Sequence, residues 1–268
     1  MSQALFFAHA NGFPCGSYAK LLEPLRSDYA IHHLPQHGHD PRFPVDDNWG
    51  NLVGEMVHHL EALGTPVWGV GHSFGGLLHL QTALCRPDLY QGVIMLDSPF
   101  FTLPDQWVIR AAKRLGLIDR LTPAGRTQGR REVFDDPTSA RRYFAGKALF
   151  RRFDPDCLDA YLQHGLQAEG SSMRLSFNPR TEIDIYRSVP DTRPGSTRGF
   201  QLPLALVRGE RSDTVRRHHT WAARALARGE FHQVPGSHMF PLEHPLQTAA
   251  LIRQVLARWQ GDTLKASA

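Results

Sequence analysis

Cysteine is scarce in this 268-residue chain. Cys15, Cys85 and Cys157 lie far apart with no C-x-x-C pair, so they read as free thiols and not as a disulfide framework or a zinc site. Cys15 falls in a glycine-bearing loop and reads as a buried thiol. Long apolar runs are also missing. No segment approaches the roughly 18 uninterrupted apolar residues of a spanning helix. The opening MSQALFFAHANG has no basic stretch before an apolar run that is itself too short for a signal peptide, so the expectation is a cytoplasmic protein. There is no internal repeat, and TRPGSTRG (Thr192 to Gly199) reads as a flexible return linker. The net charge of +4 comes mostly from scattered arginines concentrated between Phe100 and Arg198, without a nucleic-acid-binding motif. The expected partner is a small-molecule substrate, with neither nucleic acid nor membrane. Oligomeric state is left open.

With 41% hydrophobic and 21% charged residues, the chain is long enough and apolar enough to bury a full core. Apolar patterning predicts strands at ALFFAHA, YAIHHLP, TPVWGVG and GVIMLDS. Helices are predicted at SYAKLLEPLRSD, WGNLVGEMVHHLEALG and LLHLQTALCRPDLY. Such alternation is the mark of an α/β fold, a mostly parallel sheet with helices on both faces. After Ser98 the rhythm stops. Residues 99–198 show helical patches (DQWVIRAAKRLGL, SARRYFAGKALFRRF, CLDAYLQHGLQ) and no convincing strand. It resumes with LPLALVRGE, a helix around VRRHHTWAARALARG, the strand FHQVPG and the helix HPLQTAALIRQVLARWQ. The division expected is a core of residues 1–98 and 199–268, with residues 99–198 as a helical insertion after the strand ending near Asp97.

Gly71-His72-Ser73-Phe74-Gly75 fits G-x-S-x-G where a strand hands over to a helix. A sharp turn there strains the central residue, leaves no room for bulky neighbours, and lifts the Ser73 hydroxyl clear of the sheet. The Phe74 N–H would then face any negative charge that forms beside it. A serine hydroxyl is a weak nucleophile and needs a base with a group to orient it. Among fifteen histidines, His238 in VPGSHMFPLEHP lies after the last strand, at the sheet edge where α/β sites form. Two acids open on that edge. Asp213 in RGERSDTV is preferred on motif context and chain order. Asp97, at the end of GVIMLD, is the alternative.

HANGFP, GHSFGG, GERSD and PGSHMFPLEHP together resemble the α/β-hydrolase family, in its capped members. The resemblance covers about Ala4 to Ser98 and Leu202 to Trp259, and the insertion matches a helical cap in position only. It implies a catalytic triad of Ser73, Asp213 and His238. It also implies a second oxyanion-hole donor from the loop after the first strand, carried onto the Asn11 N–H, with Ala10 where the family usually has glycine. The expected function is a serine hydrolase, esterase-like, that cleaves a carboxylic ester or related acyl bond through an acyl-enzyme on Ser73, with no cofactor and no metal. QHGHD matches a family loop that shapes the core.

Other readings follow from the same residues. A serine at the elbow argues against dehalogenase and epoxide hydrolase chemistry. A C–C bond hydrolase of ring-cleavage products is an alternative, although HANGFP stands where a more glycine-rich loop is usual. A non-catalytic ligand-binding member of the fold is another. His9 and His72 read as structural hydrogen-bonders, and the pairs His32-His33, His58-His59 and His218-His219 as surface or half-buried residues whose members face different ways. The Arg pairs at 130–131, 141–142 and 151–152 read as a solvated face. Phe100, Phe101, Trp107, Val108 and Phe144 are expected to suit an apolar acyl or aromatic group.

Overall fold

A computed structural model describes residues 2–192, 200–225 and 229–266. Residues 193–199 of the expected return linker lie outside them. In chain order the strands are β1 (Gln3–Ala8), β2 (Tyr29–His33), β3 (Val67–His72), β4 (Tyr90–Leu96), β5 (Val133–Phe134), β6 (Leu166–Glu169), β7 (Ser172–Leu175), β8 (Leu204–Gly209) and β9 (Gly229–Val234).

Six of them form one sheet in the order β2-β1-β3-β4-β8-β9, every pair parallel. The strands are apolar because both faces of the sheet are covered. Successive residues alternate between two cores. Leu5, Phe7, Val70, Ile94 and Ala205 enter one, closed by the helix Pro245–Ala266 through Ile252, Val255 and Leu256. Ala4, Phe6, Val67, Val93 and Leu204 enter the other, closed by the helices Gly50–Glu61 and Phe74–Cys85 through Leu52, Met56 and Leu78. Parallel pairing brings all six carboxyl ends to one edge. Ser73 follows β3, Asp97 follows β4, and the segment bearing His238 follows β9. The predicted helix SYAKLLEPLRSD is a broken one. Pro24 sits inside it, and it forms a 3-10 turn at Cys15–Tyr18, one α turn at Ala19–Leu22 and a second 3-10 turn at Glu23–Ser27.

Between β4 and β8 the chain departs from expectation. The helices Leu103–Arg114, Pro137–Gly146, Pro155–Gly165 and Pro179–Arg187 are present. So is a three-stranded antiparallel sheet in the order β5-β7-β6, which corrects the all-helical reading. The predicted helix CLDAYLQHGLQ ends at Gly165, and its last residues begin β6. β6 and β7 turn back on each other through Gly170 at φ 61°. They escaped notice because each is only four residues long, so that Leu166 and Ala168 against Gln167 and Glu169, and Met173 and Leu175 against Ser172 and Arg174, alternate over too short a span to stand out among the helical patches.

The insertion packs on the core through aromatic side chains. Phe13 meets Phe150, Phe153 and Tyr161 at ring separations of 5.9, 6.1 and 5.3 Å. Lys20 adds ion pairs to Asp154 and Asp156 at 2.8 and 2.7 Å. Three pocket expectations are corrected here. Trp107 and Val108 are 65% and 55% exposed, and Phe144 is buried among Phe134, Phe150 and Tyr161. Arg130 also leaves the expected solvated face, pairing with the buried Glu182 at 2.7 Å and donating to the Tyr161 hydroxyl at 2.6 Å. Among the described residues no helix is long and apolar enough to cross a membrane.

Candidate active site

Ser73 sits between β3 and the helix Phe74–Cys85 at φ 53°, ψ −113°, a region that a residue with a side chain occupies only under strain. Neighbouring backbone enforces the turn. A Cβ on Gly71 would lie 2.3 Å from the Gly75 carbonyl carbon, and one on Gly75 would lie 2.2 Å from the Ala8 carbonyl oxygen. Glycine is therefore required at both positions. The Ser73 N–H donates to Leu96 O at 2.8 Å, which ties the elbow to the end of β4.

Asp97 follows at φ 44°, another strained position, and its side chain is fully buried. Three donors converge on the carboxylate. Gly209 N–H reaches Oδ1 at 2.8 Å, the Ser212 hydroxyl donates to Oδ2, and His238 Nδ1–H donates to Oδ2 at 2.8 Å. A buried carboxylate is tolerable when its lone pairs are filled in this way. Asp213 is exposed, and among the described residues it makes no hydrogen bond to His238. This corrects the pairing expected from sequence. The loop RGERSD serves the site through Gly209 and Ser212, which cradle Asp97.

With Nδ1–H committed to Asp97, neutral His238 keeps its lone pair on Nε2. Its loop is braced from behind. The buried Glu243 accepts from Ser237 N–H at 2.9 Å and from Ser237 Oγ at 2.5 Å. His72, the residue before Ser73, donates from Nε2 to the His238 carbonyl at 2.9 Å, and its Nδ1 accepts from the Tyr18 hydroxyl at 2.8 Å. Burial, with His238 close by, holds the His72 pKa well below the ordinary histidine value, so its ring is neutral. The sequence reading missed Tyr18, Gly209, Ser212 and Glu243. Gly209 and Ser212 lay within GERSD and Glu243 within PGSHMFPLEHP, stretches already singled out for other residues, whereas Tyr18 lay in a segment read only as a helix.

In the loop after β1, Ala10 N–H donates to the Tyr18 hydroxyl at 3.2 Å, and Phe13 N–H donates to Ala10 O at 3.0 Å. The Asn11 side chain is anchored by its amide to Glu182 O at 2.9 Å. Among the described residues, the backbone N–H groups of Asn11 and Phe74 have no protein acceptor. A small cleft lined by Leu77, Leu80, Gln81, Phe100, Phe101 and Pro190 lies beside the same helix, one turn beyond Ser73.

Several other histidines are hydrogen-bonded. His9 Nδ1 donates to Ala10 O at 2.9 Å and Nε2 accepts from His37 N–H at 2.8 Å. His37 Nδ1 donates to Glu55 at 3.1 Å, and His39 bridges His37 O and Asn178 N–H. His218 and His219, expected to diverge, both face Asp105 at 3.0 and 3.5 Å. This trio has metal-ligating atoms in reach of one another. His219 Nδ1 accepts Arg216 N–H at 3.3 Å, and its Nε2 stands 3.5 Å from Asp105. His218 makes the hydrogen bonds to Asp105, at 3.0 and 3.2 Å.

Comparison with known proteins agrees with the geometry. The alpha/beta hydrolase family profile matches residues 5–251. A pimeloyl-[acyl-carrier protein] methyl ester esterase of Xylella fastidiosa is 31% identical over 107 residues, which is 39% of this chain and 40% of that one. A type I acyl-CoA thioesterase of Penicillium brevicompactum is 25% identical over 130 residues, 47% of this chain and 28% of that one. The chain thus matches less than half the length of either relative. The crystal structure of an E-2-(acetamidomethylene)succinate hydrolase superposes with a TM-score of 0.74 at 18% identity, covering 96% of this chain and 92% of that one. A profile match that spans nearly the whole chain, on a six-stranded parallel sheet flanked by helices, shows that the chain belongs to the alpha/beta hydrolase family.

Proposed function

We propose that this protein is a serine hydrolase that cleaves a carboxylic ester or thioester of a small to medium acyl substrate. The observation that carries the reading is the His238–Asp97 pair, 2.8 Å apart, at the sheet edge where Ser73 occupies a strained elbow. In the first half-reaction Ser73 Oγ attacks the acyl carbon while His238 Nε2 takes its proton. The imidazolium that forms is stabilised by Asp97. Charge developing on the carbonyl oxygen is accepted by the N–H groups of Phe74 and Asn11, each worth about 3 kcal/mol of barrier. His238 then protonates the departing alcohol or thiol, leaving an acyl-enzyme on Ser73. Water, deprotonated by His238, releases the acid.

Asp97 replaces Asp213 as the acid in this mechanism, because a residue that does not touch the imidazole cannot hold its tautomer. The esterase and thioesterase relatives support acyl substrates. The reading asks for no metal or cofactor. The test is hydrolysis of p-nitrophenyl esters, acetate through decanoate, and of acyl-CoA thioesters, by wild type and Ser73→Ala side by side, with fluorophosphonate labelling. Turnover and labelling lost in the variant are expected. Turnover that persists in Ser73→Ala, or a wild type inert to all these substrates and to the label, would overturn the reading.

A further inference from the structure

The geometry points to a positioning role for Tyr18 and His72. Together they tie the loop that carries the Asn11 N–H to the loop that carries His238. This rests on the serine-hydrolase reading, and it concerns residues that touch neither the substrate nor the reacting atoms.

Four groups form a continuous chain. Ala10 N–H donates to Tyr18 Oη at 3.2 Å, Tyr18 Oη–H donates to His72 Nδ1 at 2.8 Å, and His72 Nε2–H donates to His238 O at 2.9 Å. Its direction is fixed from one end. A backbone carbonyl can only accept, so His72 must carry its proton on Nε2 and present a lone pair at Nδ1. The Tyr18 hydroxyl must therefore donate to Nδ1, which leaves its oxygen free to accept from Ala10. Each polar atom in the chain has one compatible partner on each side.

Packing alone does not call for these polar groups. Tyr18 and His72 are fully buried, and Tyr18 packs on Phe7 with ring centroids 4.8 Å apart. A phenylalanine would fill the same space without a hydroxyl to desolvate. At the last position of the fully buried strand β3, an apolar side chain would be the cheaper choice. Here the polar atoms join three parts of the chain that share no secondary structure. They are the loop after β1, the 3-10 turn Cys15–Tyr18 and the loop after β9. Ser73 is covalently attached to the middle of the relay. A shift of either loop would separate Ser73 from its base or from its oxyanion donors, and misplacement by about 1 Å can cost about a hundredfold in rate.

The experiment compares Tyr18→Phe, His72→Leu, His72→Gln and Ser73→Ala for kcat, KM, the rate of fluorophosphonate labelling and melting temperature. Tyr18→Phe and His72→Leu are expected to lower kcat by about tenfold or more with KM within about twofold, and to slow labelling in parallel. His72→Gln carries an acceptor and a donor on one planar group, so it is expected to recover kcat to within about threefold of wild type. Wild-type kcat in Tyr18→Phe and His72→Leu, beside an inactive Ser73→Ala, overturns the relay and leaves the hydrolase reading standing. An active Ser73→Ala overturns both. Should the variants fail to fold, ring nitrogen chemical shifts of His72 in the wild-type protein decide. Protonation at Nε2 supports the relay, and protonation at Nδ1 overturns it.

Discussion

His238 and Asp97 are 141 residues apart in the chain and 2.8 Å apart in space. The contact selects between two acids that the same sheet edge presents. Asp97→Asn should lower kcat by about 10³- to 10⁴-fold, because an amide in that cradle favours the wrong imidazole tautomer. Asp213→Asn should leave kcat within about twofold, since its side chain is exposed. Steady-state hydrolysis by the two variants checks this, and the reverse pattern would restore Asp213 to the triad.

Ser212 is the acid's neighbour. Its hydroxyl donates to the same Asp97 oxygen that His238 uses. Ser212→Ala removes a hydrogen bond to a buried carboxylate, an interaction worth about 1.5–3 kcal/mol. A fall in kcat of about tenfold is expected, with KM little changed. An unaltered kcat would mean that Gly209 and His238 are enough to hold the carboxylate.

The elbow makes a prediction about stability. In Gly75→Ala the new Cβ would stand 2.2 Å from Ala8 O, an overlap with backbone that can be relieved only by moving β1 or the helix. Urea denaturation should show a loss of about 3 kcal/mol. Gly146→Ala is the control, with open space at its Cβ, and should fall within about 1 kcal/mol of wild type.

Acid stability should depend on buried histidines. Burial, helped by nearby His37, pushes His79 down to about 3, and burial pushes His219 down to about 4, against an ordinary value of 6.5. The unfolded chain therefore binds protons that the folded chain refuses. Stability is fully present above about pH 6.5 and is lost as pH falls towards those values, at up to about 1.4 kcal/mol per pH unit for each group. Urea melts between pH 7.5 and 4.5 should show that slope, and His79→Leu should flatten it. Parallel slopes in variant and wild type would remove His79 as a source.

Much of the core was legible because its signals are local. The apolar strands, the glycines of the elbow and the loop after β9 are all written within a few consecutive residues, and they led to Ser73 and His238. The acid was less legible for a physical reason. Asp97 and Asp213 follow adjacent parallel strands, and which of them meets the histidine depends on where a loop more than a hundred residues from Asp97 comes to rest. Proximity to Asp213 did mark the right loop, though Gly209 and Ser212 are the residues that serve the site. The small antiparallel sheet of the insertion was hidden because its strands are only two to four residues long, too short for their alternation of apolar and polar residues to stand out. Both histidines of the 218–219 pair reach one carboxylate because they stand at the start of a helix that abuts the helix bearing Asp105, a contact that helical periodicity does not encode.

The order of strands has a consequence for synthesis. Ser73 and Asp97 leave the ribosome early, and the Ser73 N–H can reach Leu96 O as soon as β3 and β4 pair. Their base arrives only with the segment after β9, which lies at the far edge of the sheet and must wait for the whole insertion and for β8 to be made. On the serine-hydrolase proposal, the nascent chain would therefore carry its nucleophile for most of translation while lacking its base, and Asp97 would lack the Gly209 and Ser212 cradle until after β8 is made. Catalytic competence would switch on in a single late step, so that enzymatic turnover during translation reports completed assembly of the sheet.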